Sequence, residues 1–408
     1  MDQADKQSPP ENTGPLAGLR VIDAATVIAG PTIGMLMADF GADVIKVEHP
    51  RGDVLRTTGF LKDGVGLWYK MANRNKRGVT LNLSTDEGQA LFKRLAATAD
   101  VVIENFRTGT MEKWGLGWED LKAINPRLVM VRVTGFGQTG PLRDKPSFDI
   151  VTQAMSGALS INGEKGRPPV KLGLPIGDMV GGVYGPIAIL AALHERSLTG
   201  RGRLIDISLH DGLIGMLGYL AQLSFVTRED PRPVGSMHPT IVPYGSFAAA
   251  DGYIIIAVLS ETFWPKLCQA LERPELAEDK RFSTLPDRRE NREILEETIS
   301  EVIRSKTVVE WERRREDFDV PYAPILSISE ALSHPHARAR DMVVTAEHRD
   351  IGEISMTGRP VKYPGARQAA LTAPPALGEH TRQVLRDLLG LGEDELRALS
   401  DGGIIVDG

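Results

Sequence analysis

Strand-like and helix-like segments alternate through the first half of this 408-residue chain. The apolar segments "LRVIDAA", "DVIKVEH", "DVVIENF" and "LVMVRVTGF" have the composition of buried strands, and "GPTIGMLMADFGA", "TDEGQALFKRLAATA" and "WEDLKAIN" have that of helices. Strands that are apolar on both faces and joined by helices are typical of a parallel sheet covered by helices on both sides. The sequence therefore predicts an α/β fold.

The pattern changes in the second half of the chain. The segment "MVGGVYGPIAILAALHERSL" predicts a long buried helix, and "RLIDISL" predicts a strand after it. From about Pro231 the stretch "HPTIVPYGSFAAADGYIIIAV" indicates an antiparallel hairpin joined at "ADG", followed by helices at "ETFWPKLCQAL", "NREILEETISEVIRS" and "TVVEWERRRED". This is a separate, smaller α+β unit. The tail contains a strand-like "VKYP", a Pro/Ala-rich linker and a helix around "HTRQVLRDLLGL".

Composition excludes several classes of protein. The formal net charge of -6 argues against binding nucleic acid or an anionic membrane through bulk charge. The single cysteine, Cys268, excludes an intrachain disulfide and a cysteine-rich metal cage, which suits a reducing cytosol. The most apolar stretch, Met179 to Leu193, is too short to span a bilayer, and the polar N-terminus lacks a secretory signal. We expect a cytoplasmic protein.

Loops of unusual composition follow several of the predicted strands: "VIAGPTIG", "ENFRTGT" and "TGFGQTGPLRDKPSFD". In an open parallel sheet, ligands bind outside the carboxyl ends of the strands. These loops therefore predict a ligand crevice, in which Arg107, Lys113, Arg143 and Lys145 would contact anionic groups. Any one such loop is more often an ordinary strand end with solvated cations.

The first strand, glycine turn and helix have the outline of a dinucleotide site, with Glu48 at the end of the second strand. The turn runs from Gly30 to Gly34 without the GxGxxG pattern, and Pro31 removes an N–H that would hold pyrophosphate. A nicotinamide-dependent oxidoreductase stays an alternative. The histidines lack HxxxH and HExxH spacings, so no metal site is predicted, and neither a GxSxG elbow nor a P-loop is present.

Several motifs together resemble one family from Leu16 to about Leu389. They include "GLRVIDAATVIAGP", "LMADFGADVIKVEHPRGD", "NRNKRGVTLNL", "ADVVIENFRTGTMEKWGLGWEDL", "NPRLVMVRVTGFGQTGP", "FDIVTQAMSG", "LPIGDMVGGVYGPIAILAALHERSLTGRGRLIDISLHD" and "HPTIVPYGSF". The chain is similar to the family III CoA-transferases, which include formyl-CoA transferase, carnitine CoA-transferase and, with different chemistry, α-methylacyl-CoA racemase. The resemblance implies coenzyme A or acyl-CoA as substrate and no permanently bound cofactor.

The resemblance also implies a domain plan and an assembly. We expect a disordered lead-in at 1–14, a large Rossmann-like CoA-binding domain at 15–210 and a linker at 211–230. A small α+β domain would follow at 231–340, and residues 341–408 would form a linker and a C-terminal return to the large domain. The expected partner is a second copy of the chain, in an interlinked, ring-like homodimer.

Asp178 matches the catalytic aspartate of this family, in "GDMVGG" before the long helix. There the carboxylate attacks the acyl-CoA thioester and passes through an aspartyl–acyl anhydride and an aspartyl-CoA thioester. By its local sequence alone, Asp178 would be an ordinary helix N-cap. In the catalytic role we expect it to be ionised at neutral pH, with Gly177, Gly181 and Gly182 leaving room for the thioester.

The family's CoA contacts carry over to a larger set of positions. The implied roles are packing and hydrogen bonding around the adenine, with Arg107 and Lys113 pairing with phosphates. Phe148 would lie beside Asp178 and the acyl group. The implied residues are Ile28, His49, Leu81, Asn82, Leu83, Ser84, Asn105, Phe106, Arg107, Lys113 and Phe148, with Lys145 added from the loop pattern. His49 departs from the family, since relatives often carry arginine there.

Transferase chemistry is favoured over racemase chemistry. The racemase branch has a proton-accepting histidine where this chain has Phe148, and a glutamate where it has Ser260 beside Glu261. The glycine-run loop of formyl-CoA transferase is absent, and "HPTIVPYG" resembles members that use dicarboxylates such as succinate. His238 is a candidate for a distal carboxylate or a packed turn residue. A CoA-binding homologue without activity stays a further alternative.

Overall fold

The structure is a computed structural model that describes residues 14–62, 64–364 and 370–408. Of the predicted lead-in, residues 1–13 lie outside the described residues. The described chain forms two compact units. The first comprises the described residues up to 159, residues 172–229 and those from 338 onward, and the second comprises residues 160–171 and 230–337. Both ends of the chain therefore contribute to the first unit.

The strands follow one another along the chain with short connections or intervening helices. They are β1 Arg20–Asp23, β2 Asp43–Glu48, β3 Leu61–Lys62, β4 Val65–Gly66, β5 Lys76–Thr80, β6 Val101–Glu104, β7 Val129–Thr134, β8 Leu204–Ser208, β9 Tyr244–Ala248, β10 Tyr253–Ala257, β11 Tyr322–Pro324, β12 Val343–His348 and β13 Gly352–Thr357.

The helices include long core helices and several single turns. They are α1 Ala29–Asp39, α2 Leu67–Met71, α3 Asp86–Ala97, α4 Thr110–Lys113, α5 Trp118–Ile124, α6 Asp149–Met155, α7 Ile176–Thr199, α8 Leu209–Met216, α9 Tyr219–Thr227, α10 Phe263–Ala270, α11 Glu275–Glu278, α12 Leu285–Glu290, α13 Arg292–Arg304, α14 Val308–Phe318, α15 Ile328–Ser333, α16 Pro335–Ala339, α17 Thr381–Leu389 and α18 Glu393–Asp401. A 3₁₀ turn spans Val54–Arg56.

The main sheet of the first unit is parallel throughout, in the order β5-β2-β1-β6-β7-β8. Counted within this sheet alone, the order is third, second, first, fourth, fifth and sixth strand, which is the Rossmann arrangement. The alternation of strands and helices predicted from the sequence is confirmed. In such a sheet the switch point lies between the first and fourth strands, here β1 and β6, and ligands bind at the carboxyl ends there.

Each face of this sheet has its own apolar core. Neighbouring residues of a strand point to opposite faces, so Ile22 and Ile45 contribute to one core while Val21 and Val44 contribute to the other. The first core is covered by α3, α5 and α17, and the second by α1 and α7. The C-terminal helices therefore complete the large unit, although they are far from it in sequence.

Helix α7 is longer than the apolar stretch that the sequence indicated, at 24 residues. Within the described part of the chain it is the one helix long and apolar enough to cross a membrane by length and composition, a test that core helices also pass. The expectation that it is too short was therefore wrong. Its packing is that of a core helix, because Gly181, Gly182 and Gly185 lie against α1 and its neighbours.

The second unit contains the predicted hairpin, β9 and β10, with β11 added on the far side of β10 in the order β11-β10-β9. Helices α10, α13 and α14 cover it around a core that includes Trp264, Leu267, Ile299 and Trp311. These three helices match the predicted segments to within a few residues. The structure thus has the α+β architecture that the sequence indicated.

Some elements differ from the sequence prediction. The "VKYP" segment, 361–364, is irregular rather than a strand, because the strands nearby, β12 and β13, pair with each other. The proposed linker 211–230 is mostly helical, as α8 and α9. Helix α18, whose polar surface gives a weak signal, was not predicted; its Leu396 inserts into the core beside α17.

Candidate active site

A cavity of about 250 Å³ opens at the carboxyl ends of β1, β2, β5 and β6. Five of the predicted site residues line it: His49, Leu81, Leu83, Ser84 and Phe106. Ala24, Thr26, Val47, Glu48, Gly52, Asp53, Val54 and Trp114 complete the lining. The walls are mostly apolar with a few polar groups, which is the composition typical of sites for small organic ligands.

Phe106 forms one wall of this cavity, and two contacts fix its position. Its ring packs edge-on against Trp114, with the centroids 5.2 Å apart. Its N–H donates to Oε2 of Glu104 at 2.7 Å, and Glu104 also pairs with Arg132 at 3.2 Å. Burial raises the pKa of Glu104 to about 7 despite Arg132. The aromatic wall is therefore anchored to the end of β6.

The remaining predicted residues of this region have more varied surroundings. Asn105 joins the loop after β6 to the loop after β1, since its side chain accepts from the N–H of Thr26 and donates to the carbonyl of Thr26, both at 2.7 Å. Asn82 accepts a hydrogen bond from Ser84 at 2.5 Å and so shapes the loop after β5. Ile28 is the residue immediately before α1.

The predicted cations Arg107, Lys113 and Lys145 all have exposed side chains on loops or helix ends that follow β6 and β7. Arg143, in contrast, pairs with Asp144 at 3.3 Å. Burial and then Arg51 lower the pKa of His49 below the ordinary value, which disfavours its cationic form. Its Nδ1 accepts the Arg51 N–H at 3.0 Å, which leaves Nε2 as a hydrogen-bond donor.

Asp178 is the third residue of α7, in the first turn of the helix. It does not cap the helix; that role belongs to Asp149, the first residue of α6. Oδ1 of Asp149 accepts the N–H of Gly177 at 2.7 Å and that of Asp178 at 3.4 Å, while its Oδ2 accepts from Gln153 at 2.6 Å. Asp149 was missed from the sequence. In the sequence, Asp149 is the acid of "FDIVTQ", 29 residues before Asp178. No local pattern predicts a contact between residues so far apart in the chain.

Two acids consequently meet at the start of α7. Burial, and then the nearby charge of Asp149, raise the pKa of Asp178 to about 7. With a pKa of about 7, Asp178 is only partly ionised at neutral pH, which differs from the expectation of an ionised carboxylate, because burial and the Asp149 charge both disfavour its charged form. A carboxylate with a raised pKa is a stronger nucleophile when ionised than an ordinary one, and such shifts are common at functional sites.

The glycines after Asp178 serve helix packing, and the interpretation that they leave room for a thioester was wrong for Gly181 and Gly182. A Cβ on Gly181 would lie 2.4 Å from Leu209, and one on Gly182 would lie 2.7 Å from Thr32. A Cβ on Gly177, just before Asp178, would lie 2.8 Å from Oγ1 of Thr152. These distances are too short for a side chain, so the glycines allow α7 to contact its neighbours closely.

The same contacts place Asp178 relative to the first loop, residues 24–28 between β1 and α1. Gly181 faces Ala29, Gly182 faces Thr32 and Gly185 faces Ile33, so α1 and α7 run side by side in the same direction. Asp178 lies one helical turn before Gly182. It therefore lies at the level of the N-terminus of α1, which directly follows the loop whose Thr26 lines the cavity.

With this geometry established, comparison with known proteins identifies the family. The model of CoA-transferase family III matches residues 16–381. The chain belongs to this family. It is 39% identical to a succinyl-CoA–D-citramalate CoA-transferase of Chloroflexus aurantiacus, covering 98% of this chain and 99% of the relative. It is 33% identical to a human succinyl-CoA:glutarate CoA-transferase, covering 98% and 92%.

The fold agrees with a solved relative. The crystal structure of a CAIB/BAIF family protein from Brucella suis matches this family III CoA-transferase with a TM-score of 0.83 and 36% identity, covering 92% of this chain and all of that one. The enzymes of the family use CoA thioesters as substrates and need no permanently bound cofactor. Among residues 14–62, 64–364 and 370–408, no three His, Cys, Asp or Glu side chains lie together as a metal site would require.

Phe148 of the transferase directly precedes Asp149, the residue that caps α7. Its side chain is 70% exposed, so it has no packing role of its own within the chain. The structure thus brings Phe148 close to the start of α7 in the first unit. A phenyl ring offers an apolar surface there but no proton transfer.

His238, in the second unit, is a turn residue in this structure. Its Nδ1 accepts the N–H groups of Thr240 and Ile241 at 3.2 and 3.1 Å, and its ring packs against Tyr244. Burial and then Arg292 lower its pKa. Its Nδ1 is already used within the turn. Of the two interpretations of His238, the geometry favours the packed turn.

Proposed function

We propose that this transferase moves CoA from succinyl-CoA to a second small carboxylic acid, with Asp178 as the covalent nucleophile. A carboxylate oxygen of Asp178 attacks the thioester carbonyl, the C–S bond breaks, and an aspartyl–succinyl anhydride and CoA thiolate result. The thiolate attacks the Asp178 carbonyl, which forms an aspartyl-CoA thioester and releases succinate. The acceptor carboxylate then attacks this thioester, and the freed thiolate attacks the acceptor's carbonyl, giving the new acyl-CoA and free Asp178.

One observation carries this proposal: Asp178 is held by its backbone at the start of α7, at the level of the loop that lines the nucleotide-sized cavity. A carboxylate needs no general base, because it attacks in its ionised form. Its raised pKa favours nucleophilicity, and an anhydride formed on it is a reactive acyl donor. The positive end of the α7 dipole would stabilise the developing oxyanion, although the N–H groups of Gly177 and Asp178 already bond to Asp149.

Coenzyme A would bind with its adenine in the cavity, between Phe106 and the apolar ends of β2 and β5. The walls supply Leu81 and Leu83 for packing, and His49 Nε2 for a hydrogen bond. The exposed Arg107 and Lys113 would pair with the phosphates, with Lys145 as a further cation on the next loop. Pantetheine would then extend past the first loop towards Asp178.

The acid pair is inferred from the relatives. The curated relatives include transferases from succinyl-CoA to D-citramalate, mesaconate, L-malate and glutarate. All of these acceptors are short dicarboxylic acids. We therefore propose succinyl-CoA as the donor and a short dicarboxylate as the acceptor.

A racemase is the second candidate, and the structure argues against it. Phe148 cannot accept a proton. Glu261, next to the matching position Ser260, pairs with the buried Arg288 at 3.0 Å and accepts the Leu285 N–H at 2.7 Å. The glutamate is therefore committed to contacts within the second unit.

The decisive experiment uses mesaconate labelled with ¹⁸O in both carboxylates, together with succinyl-CoA. In the proposed mechanism one acceptor oxygen stays on Asp178, so the peptide containing Asp178 gains ¹⁸O, and succinate gains it in the next turnover. Direct attack of the acceptor on succinyl-CoA would label succinate but leave the peptide unlabelled, which would refute the covalent role. Asp178→Asn should form no new acyl-CoA, whereas Asp86→Asn, a change of another aspartate in the first turn of a helix, should stay active.

We also propose a homodimer with interlinked subunits. Large apolar side chains are exposed along α7 and α9 of the first unit, including Ile187, Leu190, Phe225 and Val226. Such a surface is typical of a protein–protein interface. Light scattering after gel filtration should give twice the mass of the chain; a monomer at micromolar concentration would contradict the proposal. The cytoplasmic location stays a prediction.

A further inference from the structure

The loop between β1 and α1, residues 24–28 and hereafter the first loop, has a strained backbone. Val27 has φ +67°, in the left-handed region. A β-branched residue is disfavoured there, because its Cβ crowds the backbone. Such a conformation persists only where the surroundings impose it, and it is often found at functional sites.

Hydrogen bonds from three different parts of the unit impose it. The N–H of Val27 donates to Oδ2 of Asp53 at 3.0 Å. Asn105 holds both backbone groups of Thr26. The carbonyl of Ala25 accepts from Nζ of Lys46. Consecutive residues of the first loop are therefore each tied to a side chain from elsewhere in the first unit.

Beneath the loop lies a set of buried charges. The side chains of Lys46, Lys76, Asp23 and Asp53 are all 0% exposed. Lys76 Nζ lies 2.6 Å from Asp23 and donates to the carbonyl of Pro31, in the first turn of α1, at 2.7 Å. Lys46 Nζ lies 3.9 Å from both Asp23 and Asp53. Apolar residues would fill this space with less desolvation cost, so the charges are not explained by stability alone.

The first loop also lies between the two parts of the candidate site. Thr26 lines the cavity, and Ile28 precedes α1 at the level of Asp178. A shift of this loop would change the distance from the bound nucleotide to the nucleophile. Misplacement of about 1 Å is enough to lower a rate about 100-fold.

We propose that Asp53 and Lys46, which bond to the first loop, are positioning residues that hold this loop in its strained form, while Lys76 ties Asp23 to the first turn of α1. These residues together set where the thioester carbonyl of bound acyl-CoA lies relative to Asp178. This inference rests on the proposed function of Asp178. The buried charges would thus serve CoA transfer, in addition to any part that they have in the stability of the first unit. None of the three side chains is proposed to contact the reacting atoms.

The test is a rescue experiment. In Asp53→Asn the remaining carbonyl oxygen still accepts the Leu55 N–H. An NH₂ group replaces the oxygen that accepted the Val27 N–H, so this hydrogen bond is lost. A released valine should relax to negative φ, and kcat for CoA transfer should fall about 10- to 100-fold. Glycine occupies positive φ without strain. Val27→Gly alone should therefore keep kcat within about 3-fold, and adding it to Asp53→Asn should recover at least about 5-fold.

Controls separate positioning from folding. Asp341→Gly changes another residue with positive φ, +50°, in an exposed turn, and it should neither lower kcat nor rescue Asp53→Asn. If Asp53→Asn does not fold, Val27→Pro breaks the same hydrogen bond and fixes φ near about -65°. Wild-type kcat in Asp53→Asn, or in Val27→Pro when that variant replaces it, would overturn the proposal. So would a double variant no faster than Asp53→Asn.

Hydrogen exchange distinguishes failure of this inference from failure of the proposed function. The backbone amide hydrogens of the first loop should exchange slowly in the wild type and faster in Asp53→Asn. This expectation does not depend on which reaction the enzyme catalyses. CoA should also bind more weakly to Asp53→Asn, as measured by calorimetry. If the wild type transfers no CoA, the proposed function fails. Faster exchange and weaker binding would then still support the positioning role, and unchanged exchange would overturn it.

Discussion

The raised pKa of Asp178 predicts that this residue destabilises the folded protein at neutral pH. In the folded state its pKa is about 7, compared with an ordinary value of 3.8. A difference of about 3 in pKa corresponds to about 4 kcal/mol. Because Asp178 is partly exposed, solvent screening reduces this effect, and we expect about 2–3 kcal/mol.

The sign follows from proton linkage. Between about pH 4 and 7 the folded state holds a proton on Asp178 that the unfolded state has lost, so the free energy of unfolding falls as pH rises. The cost is absent below about pH 4 and complete above about pH 7. Asp178→Asn carries no charge, so it should be more stable than the wild type by about 2–3 kcal/mol at pH 8 and by much less at pH 4.5.

Urea denaturation of both proteins at pH 4.5 and pH 8 measures this difference directly. Asp86→Asn is the matched control, because Asp86 is an exposed acid in the first turn of α3, where its charge is favourable. That variant should lose a few tenths of a kcal/mol at pH 8. A stability advantage of Asp178→Asn that is equal at both pH values, or absent at pH 8, would refute the argument that burial and Asp149 raise the pKa.

The remaining predictions concern activity and packing. The kcat/KM for CoA transfer should rise with pH and level off above about pH 7, because only ionised Asp178 attacks. Asp149→Asn should move this rise to lower pH. If the rise does not move, burial is the sole cause of the raised pKa of Asp178. Gly185→Ala should cost about 1–3 kcal/mol, since its Cβ would lie 2.3 Å from buried Ile33. Gly215→Ala, in α8, is the control and should not destabilise, because its Cβ would lie 3.8 Å from the Tyr184 hydroxyl, an ordinary van der Waals contact. Phe106→Ala should weaken CoA binding by about 10-fold in calorimetry, through loss of the aromatic wall.

Much of the large unit could be predicted from local patterns. The strands β1, β2, β6 and β7 are short apolar runs between helices, and each was located to within a few residues, because a parallel sheet buries both faces of its strands. The start of α3 also follows a local rule, because the side chain of Thr85 caps the helix by accepting the Gly88 N–H at 3.2 Å. The same reasoning predicted a crevice at the carboxyl ends of the strands, where the cavity lies. Of the loops that the sequence singled out, however, only "ENFRTGT" lines this cavity, through Phe106.

The elements that were missed have weaker local signals. Strands β12 and β13 are largely exposed and α18 is mostly polar, so their burial patterns resemble loops. The "VKYP" segment has strand-like residues but no neighbouring strand to pair with in the described chain. Pairing partners decide whether such a segment becomes a strand, and sequence patterns do not supply them.

The sequence by itself determined the layered α/β architecture, the smaller α+β unit and the choice of Asp178 as the candidate nucleophile, through hydrophobic periodicity and motif resemblance. Only the tertiary structure decided how that aspartate behaves. It brought Asp149 to the start of α7, assigned Gly181 and Gly182 to helix contacts, and placed strained Val27 above buried charges. A pKa or a strained dihedral depends on groups that are distant in sequence and close in space, and local patterns carry no information about those distances.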